Sequence, residues 1–509
     1  MANYNYINIK INIKQGNICF TKLENDKSPN DTEYPFDIED NDNNANNIRV
    51  ELGIAKVFHK VLNLIKTERD LFQKEDFELL GEMLSKILFG KLNNKSDARN
   101  YIMKEMEDTL EISKSSGKRV CRIFLEFDQK SGVAMLPWEY TLYKTRSTGE
   151  AASFYIAANI KNRFHIMRRV KENPTPAAVS DRLFIIVMLS LDGNNDANPP
   201  IDSRTSTITK IKTSFKKLEI KFNNSLVVEY IESISLKDIK GEVETIYQKW
   251  EQQYNTKPCY VLHYVGHAML ENQIGKLVIK NSETGKPDWV EDKKFASLFR
   301  TDMLNDAAQP SLVCFQACDS AKIGNYNETL RGVAYEFTKL NIPAVVGMQN
   351  EIDALNSTAF FGRFYENILN AKDVCEAVTA GRDYLGREFN IDTEPYVNNS
   401  FGSPVLFITT TEPVTLLVDA SPEKEELQNE PLQKIFKKET PSDIVNRGSV
   451  KTYKFEPGDE AIAVSKKEGE NVERLSVNEN EIENQVGARI ESFDARETMV
   501  SNHLNNQTD

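Results

Sequence analysis

The sequence lacks the features that identify several large classes of protein. Histidine is scarce, with 5 residues among 509, and neither a histidine-rich cluster nor a paired C-x-x-C motif suggests a metal site. The chain has no G-x-G-x-x-G motif and no Walker-type loop, which nucleotide-binding folds use to hold phosphates. No apolar run approaches the roughly 18 residues of a membrane-spanning helix. The first residues alternate polar and apolar side chains, which predicts a strand and no signal peptide.

The formal net charge of −13 is unevenly placed along the chain. The segment from Glu412 to Asp509 holds 21 acidic and 12 basic residues, a net charge of −9, so the rest is close to neutral. Neither part offers the broad basic face that nucleic-acid binding requires, and we expect no direct nucleic-acid or membrane partner. The 6 cysteines lack the dense, even spacing of a disulfide framework, which predicts a reducing, cytoplasmic location.

The chain divides into three predicted regions. Residues 1–172 combine an alternating strand with helical patterns, and we interpret them as an N-terminal α+β region. Residues 181–411 alternate continuous apolar strands with helices, which is typical of a mainly parallel sheet covered by helices on both faces. Residues 412–509 form an acidic extension, in which a small β element is expected around Val450–Phe455 and Ala461–Lys467.

Apolar runs locate the strands and helices of the first two regions. Because ligands in such sheets lie beyond the carboxyl ends of the strands, we expect the chemistry at that edge. The candidate strands are Ile7–Ile13, Val120–Phe127, Leu183–Leu189, Leu226–Ile231, Tyr260–Val265, Leu312–Phe315, Ala344–Met348 and Pro404–Ile408, and the candidate helices are Ile54–Arg69, Phe77–Leu92, Ile239–Gln253, Leu330–Leu340 and Ala354–Leu369.

Two cysteines lie close together at the end of one of these strands. Cys314 falls within Leu312–Phe315 and is expected to be a small buried side chain, as most unpaired cysteines are. Cys318 lies three residues past that strand, at the carboxyl edge of the sheet. His267 lies at the same edge, directly after Gly266, which permits a tight turn. A site role and a satisfied edge histidine are both open for His267.

A cysteine and a histidine on neighbouring strand ends can act as a catalytic dyad. The imidazole helps to form the thiolate and then protonates the departing amine. His267 and Cys318 are 51 residues apart, which leaves room for one hairpin and one helix between adjacent strands.

The residues around this pair resemble a known family. Gln316-Ala-Cys-Asp-Ser320 resembles the Q-A-C-[RQG]-G motif of caspases, in which the histidine comes about 50 residues upstream. Within that clan the sequence is most similar to the CHAT family of caspase-like domains, over roughly residues 1–410. Its L-P-W-E and H-x-x-G-H motifs and three downstream blocks are matched, in order, by Leu136-Pro-Trp-Glu-Tyr140, His263-Tyr-Val-Gly-His267, Arg331–Ala334, Ile342–Gln349 and Ser403–Phe407.

The resemblance implies a caspase-like fold and a cysteine endopeptidase in which Cys318 is the nucleophile and His267 its partner. The backbone N–H groups of Ala268 and Cys318 would then form the oxyanion hole. The sequence departs from the family in three places. Ala268 stands where the family has glycine, Asp-Ser follows Cys318, and the segment Gln349–Asp353 has no tryptophan. Alanine at a position suited to positive φ is expected to be strained.

The resemblance also suggests which residues line the pocket for the P1 side chain of a substrate, namely Asp192, Gln316 and Asp353. None of them is arginine, so an acidic P1 residue is not expected, and a carboxylate in the pocket would favour a basic one. Asp353 directly precedes the helical pattern Ala354–Leu369, so it is also a candidate helix N-cap. Asp192 lies in an Asp-Gly pair and is equally well explained by a turn.

Our main hypothesis is a regulated cysteine endopeptidase that cuts specific proteins. The resemblance implies an effector in bacterial defence or cell death, with a protein substrate, a regulatory protein partner and no metal or organic cofactor. The acidic extension is a candidate regulatory segment. The alternative is a catalytically inactive caspase-like scaffold that binds a protein partner, although both dyad residues are retained. A nucleotide-binding doubly wound domain is a third interpretation, which lacks a phosphate-binding loop after its first strand.

Overall fold

The structure, a computed structural model, divides into two compact units, Met1–Pro422 and Glu423–Asp509. Within the residues that it describes, no helix is both long and apolar enough to cross a bilayer. The described residues are 5–14, 17–23, 74–89, 103–110, 119–127, 134, 136–144, 153–159, 163–170, 179–190, 201–232, 235–304, 307–318, 320–322, 324–326, 329–390, 397–417, 443–446, 460–464, 472–477, 482–483 and 489–490.

The first unit contains both helices and strands. Its strands are β1 (Asn5–Lys14), β2 (Asn17–Leu23), β3 (Arg119–Phe127), β4 (Leu142–Lys144), β5 (Ser153–Tyr155), β6 (Phe164–Arg169), β7 (Leu183–Ser190), β8 (Leu226–Glu232), β9 (Tyr260–Gly266), β10 (Ala268–Glu271), β11 (Ile274–Lys280), β12 (Pro287–Glu291), β13 (Leu312–Gln316), β14 (Gly324–Tyr326), β15 (Thr329–Arg331), β16 (Ala344–Met348) and β17 (Pro404–Ile408). Its helices are α1 (Lys74–Phe89), α2 (Ile201–Phe222), α3 (Leu236–Tyr254), α4 (Asp292–Ser297), α5 (Val333–Thr338), α6 (Ala354–Leu369) and α7 (Val374–Gly386), and residues 103–110 are also helical.

Ten strands form one sheet in the order β2-β1-β3-β6-β17-β16-β13-β9-β7-β8. Neighbouring strands run parallel, except for the antiparallel pairs β1–β2 and β16–β17. The strand direction therefore changes twice across the sheet: β1, β3, β6 and β17 run one way, and β2 and the five strands from β16 to β8 run the other way. We call β2, β1, β3, β6 and β17 the first half, and β16, β13, β9, β7 and β8 the second half.

Apolar side chains on both sides of the strands explain their continuous apolar sequences. In β7, Leu183 and Ile185 pack into the core beneath α2, α6 and α7, whereas Phe184 and Ile186 pack into the core beneath α3, α4 and α5. Every residue of β7 is buried. Burial on both faces is what a parallel sheet covered by two helical layers requires.

The predicted architecture is confirmed: the sheet is mainly parallel and is flanked by helices. The candidate strands and helices of the sequence correspond to the observed ones within a few residues, apart from Ile54–Arg69, which lies outside the described residues. Because β6 pairs with β3 and β17, the first two predicted regions share one sheet. In this sheet, strands β2 and β6 were not predicted from the sequence, and neither were the helices α2, α4 and α7.

The second unit holds a five-stranded sheet of short strands. Its first two strands pair in parallel and the others are antiparallel. The strand expected around Ala461–Lys467 overlaps β19, whereas Val450–Phe455 lies outside the described residues. The strands are β18 (Asp443–Asn446), β19 (Glu460–Val464), β20 (Val472–Val477), β21 (Ile482–Glu483) and β22 (Arg489–Ile490).

Candidate active site

The carboxyl ends of β9 and β13 bring His267 and Cys318 to the same edge of the sheet. The two strands are adjacent and parallel, and Val265 is the register partner of Gln316. His267 and Cys318 each lie two positions beyond that pair, one after each strand. Both residues are half-buried. The register thus gives them equivalent positions on neighbouring strands.

Gly266, which precedes His267, is explained by close packing. A Cβ atom at this position would lie 2.4 Å from the Tyr264 hydroxyl and 2.5 Å from the Ser190 carbonyl oxygen. Gly266 pairs with Ser190 as the last residue of β9. Close approach of neighbouring groups therefore requires the absence of a side chain here.

The main chain of His267 is held by two neighbours. Its carbonyl oxygen accepts hydrogen bonds from the Val278 N–H at 3.0 Å and from the Tyr264 hydroxyl at 3.1 Å. Burial lowers the pKa of His267 below its usual value. The imidazole is therefore neutral near pH 7, the state in which it can take a proton from a thiol.

Ala268 begins β10, and its N–H points away from the neighbouring strand β11. Ala268 and Leu277 are register partners, and the hydrogen bond from the Val278 N–H to the His267 carbonyl flanks them. They therefore form a non-hydrogen-bonded pair, in which the N–H groups face away from the partner strand. The backbone of Ala268 is extended, so the strain expected for alanine at positive φ does not arise.

Cys318 begins a turn that is fastened to the end of β16. Its Sγ donates to the Ile352 carbonyl at 3.7 Å. Two residues later, the Ser320 Oγ accepts a hydrogen bond from the Met348 N–H at 2.9 Å. The Ala321 N–H donates to the Met348 carbonyl at 2.8 Å. The turn after β13 is thus fixed by main-chain groups of the neighbouring strand.

The two cysteines of this strand differ in environment. Cys314 is fully buried, as expected, and burial raises the pKa of its thiol to about 12. Among the cysteine side chains that the structure describes, Cys318 alone is partly exposed. Only a thiol that reagents can reach is able to act as a nucleophile in the folded protein.

A buried neutral network supports the ends of β9 and β13. His263 Nδ1 lies 2.7 Å from the Tyr365 hydroxyl, and His263 Nε2 lies 3.2 Å from Gln316 Oε1. Burial lowers the pKa of His263 to about 3, so its ring is neutral. Gln316 Nε2 donates to the hydroxyls of Ser357 and Thr358, at 3.0 and 3.2 Å. The Gln316 amide is thus directed towards α6, and its role in substrate binding stays a prediction.

The glutamate of the L-P-W-E segment belongs to a second network, which is charged. Glu139 Oε1 and Oε2 accept hydrogen bonds from Arg168 at 3.0 and 2.8 Å. Burial raises the pKa of Glu139, but the charge and hydrogen bonds of Arg168 outweigh this and hold it below its usual value. Gln349 donates to Glu139 Oε2 at 2.8 Å and to the Gly402 carbonyl at 2.6 Å. This network fixes the segment that leaves β16.

Asp353 is the N-cap of α6, as the sequence suggested. Its carboxylate accepts hydrogen bonds from the Asn356 N–H at 2.8 Å and from the Asn356 side chain at 2.5 Å. Asp353 is exposed and directly follows Ile352, whose carbonyl accepts from the Cys318 thiol. Its part in a substrate pocket stays a prediction, and Asp192 lies outside the described residues.

Two residues that hold this edge together were not identified from the sequence. Tyr264 shares its single hydroxyl proton between the Val278 carbonyl at 2.8 Å and the His267 carbonyl at 3.1 Å, and Ser320 accepts from β16. Both bond to main-chain groups, which leave no sequence signature. Within the described part of the chain, no group of three or more His, Cys, Asp or Glu side chains could hold a metal ion.

A cysteine and a histidine that follow adjacent parallel strands, in a mainly parallel sheet flanked by helices, define a caspase-like protease fold. A family model described as CHAT domain matches residues 90–397, which is more than half of the chain. The chain therefore belongs to the CHAT domain family, and the resemblance found in the sequence motifs is confirmed.

Two kinds of solved structure are similar at low identity. The separase–securin complex of Saccharomyces cerevisiae has a TM-score of 0.39 and 11% identity over 80% of this chain and 30% of the matched chain. A second structure of that complex gives a TM-score of 0.38 at 12% identity, over 82% and 31% of the two chains. Pro-sf-caspase-1 gives 0.30 at 11% identity, over 48% of this chain and 96% of that one. This chain thus spans less than a third of the matched separase-complex chains. A search of curated proteins found no sequence match.

Proposed function

We propose that this chain is a cysteine endopeptidase in which Cys318 is the nucleophile and His267 its acid–base partner. The observation that carries the proposal is the register of β9 and β13, which gives the two residues equivalent positions at one edge. The lowered pKa of His267 supports the role of proton acceptor.

The proposed reaction uses groups of this edge only. His267 takes the thiol proton, and the Cys318 thiolate attacks the carbonyl carbon of the scissile peptide bond. The N–H groups of Ala268 and Cys318 stabilise the negative charge on the tetrahedral oxygen. His267 then protonates the departing amine, and water hydrolyses the thioester that remains on Cys318.

The thiol contact supports an enzyme that is held at rest until it is triggered. A hydrogen bond from the Cys318 thiol to the Ile352 carbonyl stabilises the protonated form, so at rest only part of the molecules carry the thiolate that His267 forms, and Cys318 still reacts faster than the buried cysteines. In the proposed active state, the side chain turns towards His267. A protein substrate or a regulatory protein partner would supply the energy for this change through contacts that it makes with the active state alone.

The alkylation of individual cysteines tests the proposed dyad. The folded protein is treated with iodoacetamide across a range of pH, and modification at each cysteine is measured by mass spectrometry. We expect Cys318 to react fastest near pH 7, because an unperturbed thiol has a pKa of about 8.5 and a thiol paired with histidine a lower one. His267→Ala should remove this advantage. If Cys318 reacts no faster than the buried cysteines, the inactive scaffold is the better interpretation.

A preference for a basic P1 residue is the finer part of the proposal, and Asp353 carries it. Its exposed carboxylate lies one residue from the carbonyl that contacts the Cys318 thiol. Asp353→Asn removes the charge and keeps the cap, because asparagine is an equally good N-cap. In a peptide library, this variant should lose cleavage after Lys and Arg relative to other residues. Asp373→Asn is the matched control, because Asp373 caps α7 in the same way; equal profiles for the two variants would exclude the pocket role.

A further inference from the structure

Asp292 connects two segments that each lead to the candidate site. It lies at the start of α4, completely buried, outside every motif that the sequence analysis identified. Its Oδ2 accepts hydrogen bonds from the Gly275 N–H and the Gly332 N–H, both at 3.1 Å. Its Oδ1 accepts from the Lys293 N–H at 2.7 Å. One carboxylate therefore binds main-chain groups 17 residues before it and 40 residues after it.

The two segments meet so closely that glycine is required. A Cβ atom on Gly275 would lie 2.6 Å from the Val333 nitrogen and 3.0 Å from both Asp292 Oδ2 and the Gly332 carbonyl carbon. Main-chain atoms cannot give way as a flexible side chain can. The contact thus fixes the separation of β11 from the start of α5.

Each segment leads directly to one of the two N–H groups of the proposed oxyanion hole. On one side, Gly275 lies in β11, which pairs with β10, and β10 begins with Ala268. On the other side, the Ala334 N–H of α5 donates to the Ser320 carbonyl at 2.9 Å, two residues after Cys318. Asp292 thus links the strand pair that begins at Ala268 to the turn that begins at Cys318.

We propose that Asp292 is a positioning residue that sets the spacing of the Ala268 and Cys318 N–H groups. This inference rests on the proposed function, because it assigns these groups to an oxyanion hole. The hydrogen bonds described above join Asp292 to main-chain N–H groups of Gly275, Lys293 and Gly332. Its loss should therefore weaken the stabilisation of a tetrahedral oxyanion and leave the reactivity of the thiolate unchanged.

Two reagents separate these effects at the same sulfur atom. p-Nitrophenyl acetate acylates a thiolate. A bond forms between Sγ and the acyl carbon to give a tetrahedral oxyanion, and p-nitrophenolate then leaves. Iodoacetamide alkylates the same thiolate by direct displacement of iodide and passes through no oxyanion. The ratio of the acylation rate to the alkylation rate at Cys318, read by mass spectrometry, therefore reports on the oxyanion hole alone.

Asp292→Ala should lower this ratio by about 10–100-fold, because displacing a reacting group by about 1 Å costs rate on that scale. Asp292→Asn should retain much of the ratio, because the amide oxygen can still accept from Gly275 and Gly332. Gly275→Ala should lower the ratio as Asp292→Ala does, by pushing the same segments apart. The matched controls are Asp288→Ala, an exposed aspartate on β12, and Gly241→Ala, where a Cβ atom meets nothing within 4 Å.

The pattern across the variants decides between positioning and general stabilisation. Equal loss of acylation and alkylation, or an unchanged ratio in both Asp292→Ala and Gly275→Ala, would overturn the inference. If Asp292→Ala does not fold, the ratios of Gly275→Ala and Asp292→Asn still decide it. A different result would contradict the proposed function itself: an unchanged rate of Cys318 alkylation in the His267→Ala variant, with Asp292 and Gly275 intact.

Discussion

The two halves of the sheet bury different chemistry in their strands. The first half buries Lys10 on β1, Arg122 on β3 and Arg168 on β6. In the second half, the buried polar residues that the structure describes on the strands are neutral, with His263 and Gln316 as the largest. The buried charges that the structure describes on the strands thus lie in the half that does not carry the candidate dyad.

This difference shows what each half requires. A buried cation demands oriented partners, and Arg168 finds them in Glu139 and Gln349, which come from separate parts of the chain. The first half therefore joins distant segments through ion pairs. In the second half, strand ladders and neutral hydrogen bonds hold β9 and β13, and the buried carboxylate of Asp292 lies off the strands, at the start of α4. Burial lowers the pKa of His267.

Breaking the charged network should have the largest effect on stability. Glu139→Gln leaves the Arg168 guanidinium buried without its carboxylate, which should lower the free energy of unfolding by about 3–5 kcal/mol. Urea denaturation measures this loss. The control is Glu82→Gln, which removes the exposed partner of Lys144 and should cost about 0–1 kcal/mol. A loss below about 1 kcal/mol for Glu139→Gln would mean that the first half does not depend on its buried ion pair.

The loss of stability at acidic pH should include a contribution from one buried histidine in each half of the sheet. Burial lowers the pKa of His263 to about 3 and that of His165, on β6, to about 4. In the unfolded chain both titrate near about 6.5, so between these values the unfolded state binds a proton that the folded state does not. The free energy of unfolding therefore falls as the pH falls, by about 1.4 kcal/mol per pH unit for each histidine.

Substitution of either histidine should make the free energy of unfolding depend less on pH in the acidic range. His263→Gln and His165→Gln should each reduce the slope of stability between pH 6 and pH 4.5 by about one proton, and the double variant by about two. Urea denaturation at several pH values gives the slope. An unchanged slope in one single variant would mean that this histidine is protonated in the folded state, and the contrast between the halves would then need revision.

The same contrast explains how much of the fold the sequence reveals. Strands of the second half are continuous apolar runs, and these runs predict them within a residue or two. Strand β6 escaped prediction because Phe164-His-Ile-Met-Arg-Arg169 carries His165 and Arg168 at buried positions. A buried cation looks like a solvated one in the sequence, since only tertiary partners distinguish them.

The candidate site shows a similar limit. His267 and Cys318 were predicted together because strand ends of a parallel sheet meet at one edge. Glu139 was visible as a family motif, but its partners Arg168 and Gln349 lie far from it in sequence. Asp292 gave no signal at all, because it binds main-chain N–H groups that every residue type except proline possesses.

The smallest predicted effect concerns the connection between α6 and α7. Helix α6 lies over the second half of the sheet, and α7 packs against β6 and β17 of the first half. Ala371 in this connection has a φ of 57°. A left-handed backbone costs an L-residue about 1–2 kcal/mol, and glycine avoids that cost but loses more entropy on folding. Ala371→Gly should therefore raise the free energy of unfolding by up to about 1 kcal/mol, as read by urea denaturation.

The matched control for this substitution is Asn255→Gly at the end of α3, where φ is 49°. Asparagine tolerates the left-handed region because its side chain forms local hydrogen bonds, so the gain there should be smaller. If Ala371→Gly destabilises the protein, then alanine stabilises it more, by restricting the conformations of the unfolded chain, than the left-handed backbone of the folded state costs. The two halves would then be joined by a segment whose alanine is the stabilising choice.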